Sequence, residues 1–125
     1  DTWKSRGLGD VYKRQIELMI ETKFSIGQLV KHKFLPFRGV IYDVDPIFNN
    51  TEEWYQSIPK DFRPKKDQPF YHLFAENGQI FYNAYVSEQN LLIDESKLKS
   101  NHPDVDIFFN VFDGEKYHQS KAKIN

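Results

Sequence analysis

The sequence predicts a small, mainly β domain: an SH3-like antiparallel β-barrel with one or two short helices. Three observations predict it. Segments of alternating side-chain character recur along the middle of the chain, above all Phe37-Arg38-Gly39-Val40-Ile41-Tyr42-Asp43-Val44-Asp45-Pro46. Two others are joined by Asn77-Gly78, the strongest short-range hairpin signal. Aromatic residues make up 16% of 125 positions against a hydrophobic share of only 39%, so large rings must supply much of the buried area. A core of Phe and Tyr rather than Leu is expected, in a single domain.

Residues 1–15 read as a non-native, adaptor-like leader. They hold Trp3, two glycines, clustered cations and no periodicity. Residues 16–125 then form the one domain. Residues 16–22 are a short apolar lead-in, either an edge strand or part of the leader. The first clear strand is Phe24-Ser25-Ile26-Gly27-Gln28-Leu29-Val30-Lys31-His32, followed by a turn around Pro36. In the next strand Val40, Tyr42 and Val44 are expected on one face, with Ile41, Asp43 and Asp45 on the other, because side chains alternate in extended chain. Gly39 allows close backbone approach, and Pro46 ends the strand because it has no amide hydrogen to donate.

Residues 49–58 predict a short helix. Asn50 is the expected N-cap, with Glu53 at the capping-box spacing and Trp54 and Ile58 four apart on one face. Residues 60–69, rich in charge and carrying Pro64 and Pro69, make a long exposed loop, a usual place for function. The hairpin follows, with strands over residues 69–76 and 79–86 around a type I′ turn. Ser87 caps a turn before Leu91. Residues 94–101 are a polar connection. His102-Pro103-Asp104 opens a second short helix, Pro at the first position and acids in the first turn. Val105, Ile107, Phe109 and Val111 also alternate as a strand would. The tail, with Lys116, His118, Lys121 and Lys123, is expected to fray.

Several chemistries are disfavoured. There is no cysteine, hence no disulfide or thiolate chemistry. His32, His72, His102 and His118 lack metal-ligand spacing, so no metal and no cofactor is expected. Nucleophile elbows and Gly-rich phosphate loops are missing. Asp43, Asp45, Glu76 and His72 would make an acid–base site only if the fold gathered them in a cleft; solvated strand ends are the simpler reading. No apolar run approaches the roughly 20 residues of a membrane span.

Binding chemistry fares better. Lys31, His32, Lys33 and Arg38 flank the first turn. Arg63, Lys65 and Lys66 lie in the long loop near Trp54, Tyr55, Phe62 and Tyr71. Cations interleaved with rings are the parts that hold phosphates and stack on bases. This assigns Lys31, His32, Lys33, Arg38, Arg63, Lys65, Lys66 and Tyr71 to nucleic-acid contact. Trp54, Tyr55 and Phe62 equally suit protein–protein contact, where such rings are the usual anchors. The charge balance opposes the first reading. The formal charge is −1, and without residues 1–15 there are 13 Lys and Arg against 16 Asp and Glu.

Four blocks occur in order: Phe24-x-Ile26-Gly27-Gln28-x-Val30-x-His32; Phe37 to Pro46 as quoted above; Arg63-Pro64-x-Lys66-Asp67-Gln68-Pro69-Phe70-Tyr71-His72-Leu73; and Ala84-Tyr85-Val86-Ser87-Glu88-Gln89-Asn90-Leu91. Together they resemble the YccV-like, or hemimethylated-DNA-binding, domain family, which includes the HspQ heat-shock proteins. The resemblance implies a small, non-enzymatic β-barrel of the bacterial cytoplasm, nucleoid-associated where it binds DNA. It implies hemimethylated double-stranded DNA as a partner and an influence on turnover of the replication initiator. It also implies service as a substrate and specificity-enhancing partner of the Lon protease toward client proteins. Self-association is implied too, with a trimer as the candidate state.

Overall fold

The structure, a computed structural model, describes residues 22–119. The leader at residues 1–15, the lead-in before Thr22, and Lys121 and Lys123 of the tail lie outside the described residues. The order is β1 (Leu29–His32), β2 (Arg38–Asp45), α1 (Glu52–Ser57), β3 (Phe70–Glu76), β4 (Phe81–Ser87), β5 (Leu91–Ile93), α2 (Pro103–Phe108), β6 (Val111–Phe112) and β7 (Tyr117–His118). Single 3₁₀ turns lie at Lys60–Phe62 and Glu88–Asn90. The first five strands form one antiparallel sheet in the order β4-β3-β2-β1-β5, and β6 pairs with β7 in a separate hairpin. No ladder joins β4 to β5 among the described residues, so the sheet is open rather than the closed barrel expected. No helix among them is long and apolar enough to cross a membrane.

β2 is the longest strand and pairs on both sides. Its register against β3 jumps between Ile41 and Asp43, leaving Tyr42 as an extra residue. This bulge corrects the expected alternation. Ile41 and Val44, three positions apart, join one buried cluster with Val30, Tyr71, Leu73 and Leu91. Val40 and Tyr42 meet the other cluster, with Leu29, Phe74, Val105, Phe109 and Tyr117. Both faces of the sheet are therefore buried; α2 and the β6–β7 hairpin cover the second. The core is mixed rather than Phe and Tyr alone: Leu29, Val30, Val40, Ile41, Leu73 and Leu91 are fully enclosed beside Phe70 and Tyr71. At Gly39 an added Cβ would lie 2.9 Å from the Phe74 carbonyl oxygen and 3.1 Å from Leu73 Cβ, the close approach the glycine allows.

Local details depart from expectation where side chains compete for caps. The cap of α1 is Thr51, whose Oγ1 accepts from the Trp54 amide at 3.0 Å, rather than Asn50. Asn77-Gly78 does turn the β3–β4 chain, but over four residues, since Glu76 faces Phe81. Gly78 takes a φ of +93° while Asn77 does not enter that region. Instead Asn77 Oδ1 accepts from the amides of Gln79 and Ile80 at 3.0 Å each, an Asx arrangement in place of the type I′ turn. Ser87 stands at the cap position of the next turn, yet its hydroxyl makes no cap bond. α2 is a helix, capped by His102 Nδ1 accepting from Asp104 N at 3.1 Å.

The tail through His118 is ordered, not frayed. Tyr117 is buried, its amide donates to the Gly27 carbonyl at 2.8 Å, and Lys116 bridges to Gln28. Gly27 has a φ of +93°, and a Cβ there would meet the Tyr117 carbonyl oxygen at 2.0 Å. Gly27→Ala should therefore destabilise by at least the roughly 1–3 kcal/mol of a forced positive φ, with the steric clash adding to it. Urea unfolding of the two proteins checks this: the midpoint drops at an unchanged slope.

Candidate functional site

The residues singled out for binding fall at three places. The first is the β1–β2 turn. Lys31 faces Arg38 across the ladder. The Arg38 guanidinium turns inward, onto the connection after β5. Its Nε donates to Asp94 Oδ2 at 2.6 Å, Nη1 to the Lys99 carbonyl at 3.3 Å, and Nη2 to the Leu98 carbonyl, with Glu76 Oε1 3.8 Å away. His32 Nδ1 accepts from the amides of Phe34 and Leu35, both at 3.0 Å. Burial lowers the basicity of its ring, so the imidazole is neutral with the proton on Nε2. Lys31 and Lys33 are exposed.

The second place is α1 with the loop over residues 60–69. Phe48, which sequence reasoning missed, is its centre. It stacks with Trp54 and meets Tyr55, Phe70 and Tyr85 edge-on, with centroids 5.2–6.1 Å away. Tyr55 donates from its hydroxyl to the Pro64 carbonyl at 2.5 Å. Arg63 closes the open end of α1, donating from Nη2 to the carbonyls of Gln56 and Ile58 at 3.1 and 2.9 Å. Lys66 Nζ lies 2.5 Å from Glu52 Oε1 and 4.5 Å from the Tyr55 ring centre. The Glu52 carboxyl is held below its ordinary value, chiefly by that Lys66 bond. Lys65 is exposed, and Phe62 leaves 65% of its surface open.

Tyr71 belongs to neither place. It is fully buried, its ring edge-on to Phe24. Its hydroxyl donates to Glu88 Oε2 at 2.6 Å and accepts from the Phe24 amide at 3.2 Å. Burial, then the Glu88 bond, raises its pKa far above the ordinary tyrosine range. The expected surface contact through Tyr71 is corrected: its ring is part of the core.

A groove of about 800 Å³ lies between these two regions, lined among others by Phe34, Phe37, Trp54, Phe62, Tyr82 and Ser87. The residue types could not reveal it, because its walls come from the first turn, α1, the long loop and β4.

The third place is on β2 and β3. The bulge at Tyr42 leaves Asp43 and Asp45 two apart on one side, where Asp43 pairs with His72. Asp45 is buried; its Oδ2 lies 2.9 Å from His72 Nε2 and accepts from the Tyr85 hydroxyl at 2.8 Å. Candidate ligand atoms of Asp43, Asp45 and His72 all lie within 4.8 Å of one another, the one such group among the described residues. Spacing in the sequence could not show this, because the three meet across a ladder. Glu76 stands apart, accepting from Ser100 Oγ at 2.8 Å and Asn101 N at 2.7 Å. The four groups required for an acid–base cleft are thus not gathered.

Fold and site define a small antiparallel-sheet binding domain with a ring-lined groove. A protein-family model described as "Hemimethylated DNA-binding protein YccV like" matches residues 22–116. The chain belongs to this YccV-like family, a family of binding domains. It is also similar to F-box only protein 21 of Pongo abelii, Homo sapiens and Mus musculus, each 31% identical over 109 residues that cover 86% of this chain. The chain spans 17% of the length of those relatives.

The Arg38–Asp94 pair makes acid stability testable. Burial pushes the Asp94 carboxyl up, but hydrogen bonds from Ser96 and Arg38 outweigh it and hold the group below its ordinary value. Its folded-state value is thus the lower one, so its contribution is present above about pH 4, the unfolded value. It is lost as pH falls through the folded value. Asp94→Asn should cost roughly 1–3 kcal/mol at neutral pH, and progressively less as pH falls below the carboxyl's unfolded value. Urea midpoints measured across that range check it.

Proposed function

We propose that this chain is a non-enzymatic, HspQ-like domain whose ligand is hemimethylated duplex DNA. Membership in the YccV-like family over residues 22–116 carries the reading. Of the cations assigned to nucleic-acid contact, Lys31, Lys33 and Lys65 are exposed and can reach phosphates. Arg38, Arg63 and Lys66 act mainly by holding the surface in shape, since each is bonded within the domain. The family resemblance adds turnover of the replication initiator as the process served, in a bacterial cytoplasm.

A salt titration tests this. Hemimethylated, fully methylated and unmethylated duplexes of one sequence are compared by fluorescence anisotropy. The hemimethylated duplex should bind best. Changing Lys31, Lys33 or Lys65 singly to Gln should each reduce the magnitude of its log–log salt slope by about one. Equal binding to all three duplexes, or affinity independent of salt, overturns it.

The exposed rings support a second reading: a specificity-enhancing partner, and substrate, of a Lon-type protease. Phe62, 65% exposed, and the half-buried Trp54 both line the groove. Trp54→Ala and Phe62→Ala should then reduce client turnover by the protease several-fold more than Lys65→Gln does. Unaltered turnover by both ring variants overturns this reading.

A further inference from the structure

The outer edge of β4 is the sharpest unassigned feature. β4 runs seven residues and pairs with β3 alone among the described residues. Its far side is therefore a row of backbone groups with no strand beside it, a template for another strand. Five β4 residues, Tyr82 and Ala84 to Ser87, line the groove. It is lined by Ala84, which packs on the first core cluster, and by Tyr85, which bonds Asp45 on the opposite face of the sheet. A cavity that touches both faces of a strand wraps its edge. A chain laid against β4 would direct alternate side chains to the Phe37–Tyr82 side and to the Trp54–Tyr85 side.

Two further observations specify the occupant. Ser87, at the end of β4, is 2% exposed and lines the groove, and its hydroxyl has no hydrogen-bond partner among the described residues. A buried hydroxyl in that condition costs stability until something bonds it. The charged groups in the lining are Lys33 and Arg63 against Asp61, with His32 neutral. The surplus is positive, although the chain as a whole is acidic.

We propose that the β4 edge and its groove bind an extended peptide segment of a partner protein, adding it to the sheet as a sixth strand. The segment alternates apolar side chains, seated among the rings, with at least one carboxylate directed at Lys33 or Arg63. The Ser87 hydroxyl bonds its backbone. This rests on the protein-interaction reading above and names the chemistry that reading would recognise. A duplex is disfavoured here because a sugar–phosphate backbone has no amide groups to continue a β-ladder.

The probe is a fluorescein-labelled ten-residue peptide alternating valine and phenylalanine with glutamate and threonine. Its counterpart is N-methylated throughout, keeping the side chains and losing the amide donors. Both are titrated into the full chain by anisotropy, with hydrogen exchange of the amides over residues 81–87 followed in parallel. The first peptide should bind and slow exchange along β4; the N-methylated one should bind about tenfold more weakly or worse. Phe62→Ala and Lys33→Glu should each weaken binding several-fold. Ser87→Ala should weaken binding while leaving the free protein as stable as before or more so, which a merely structural hydroxyl would not do. Equal binding of both peptides, or unchanged exchange over 81–87, overturns the proposal. So does displacement of the peptide by hemimethylated duplex with the same pattern of protection. If the ring variants abolish protease stimulation while β4 exchange is unmoved, the adaptor reading stands and this one falls.

Discussion

A single strand that must serve two hydrophobic layers governs this fold. β2 contributes Ile41 and Val44 to one layer and Val40 and Tyr42 to the other. Strict alternation cannot place Ile41 and Val44 together, because they are an odd number of positions apart. The extra residue at Tyr42 resolves the conflict, and its ring is free to stack on Phe74 with centroids 4.2 Å apart. The same irregularity sets Asp43 and Asp45 beside His72. Burying Asp45 there is tolerable because His72 and Tyr85 both reach it. The Tyr85 hydroxyl is in turn pushed well above the ordinary tyrosine range, by burial first and then by the aspartates. A packing constraint and a polar cluster thus share one cause.

Legibility in the sequence followed the range of the interaction. The β3–β4 hairpin was readable because Asn77-Gly78 and the flanking rings carry the signal within a few residues. The start of α2 was readable from His102-Pro103-Asp104 for the same reason. Type I′ geometry was not, since Asn77 had a second option: its own side chain bonding two amides ahead. β5, β6 and β7 are two or three residues long and have no period to detect. They exist because of partners 59 or more positions away, or across a turn at Gly114. The bulge lay hidden because Val40-Ile41-Tyr42-Asp43-Val44 reads equally well as unbroken alternation.

Among the candidate site residues, type was a poor guide to availability. Arg38, Arg63 and Lys66 have the composition of phosphate contacts, yet each is held by carbonyls or carboxylates of its own chain. Arginine is prone to this, since its fixed fork of donors suits clustered carbonyls such as those at the end of α1. The basicity of His32 is lowered by burial, and two amides of its own turn already use Nδ1. Lys31, Lys33, Lys65 and Phe62 are left outward. Phe48 escaped notice for another reason: it sits in the short connection between β2 and α1, and only the assembled fold surrounds it with rings.

The contact between Gly27, just before β1, and Tyr117, in β7, brings the two ends of the described fold to the same spot. Gln28 bridges Lys116, and the Lys116 ammonium reaches Ser25 Oγ at 3.0 Å. A unit whose entry and exit adjoin can be spliced into a host polypeptide without forcing the flanking segments apart. Such geometry makes the domain portable, as the inside of a longer host chain would require.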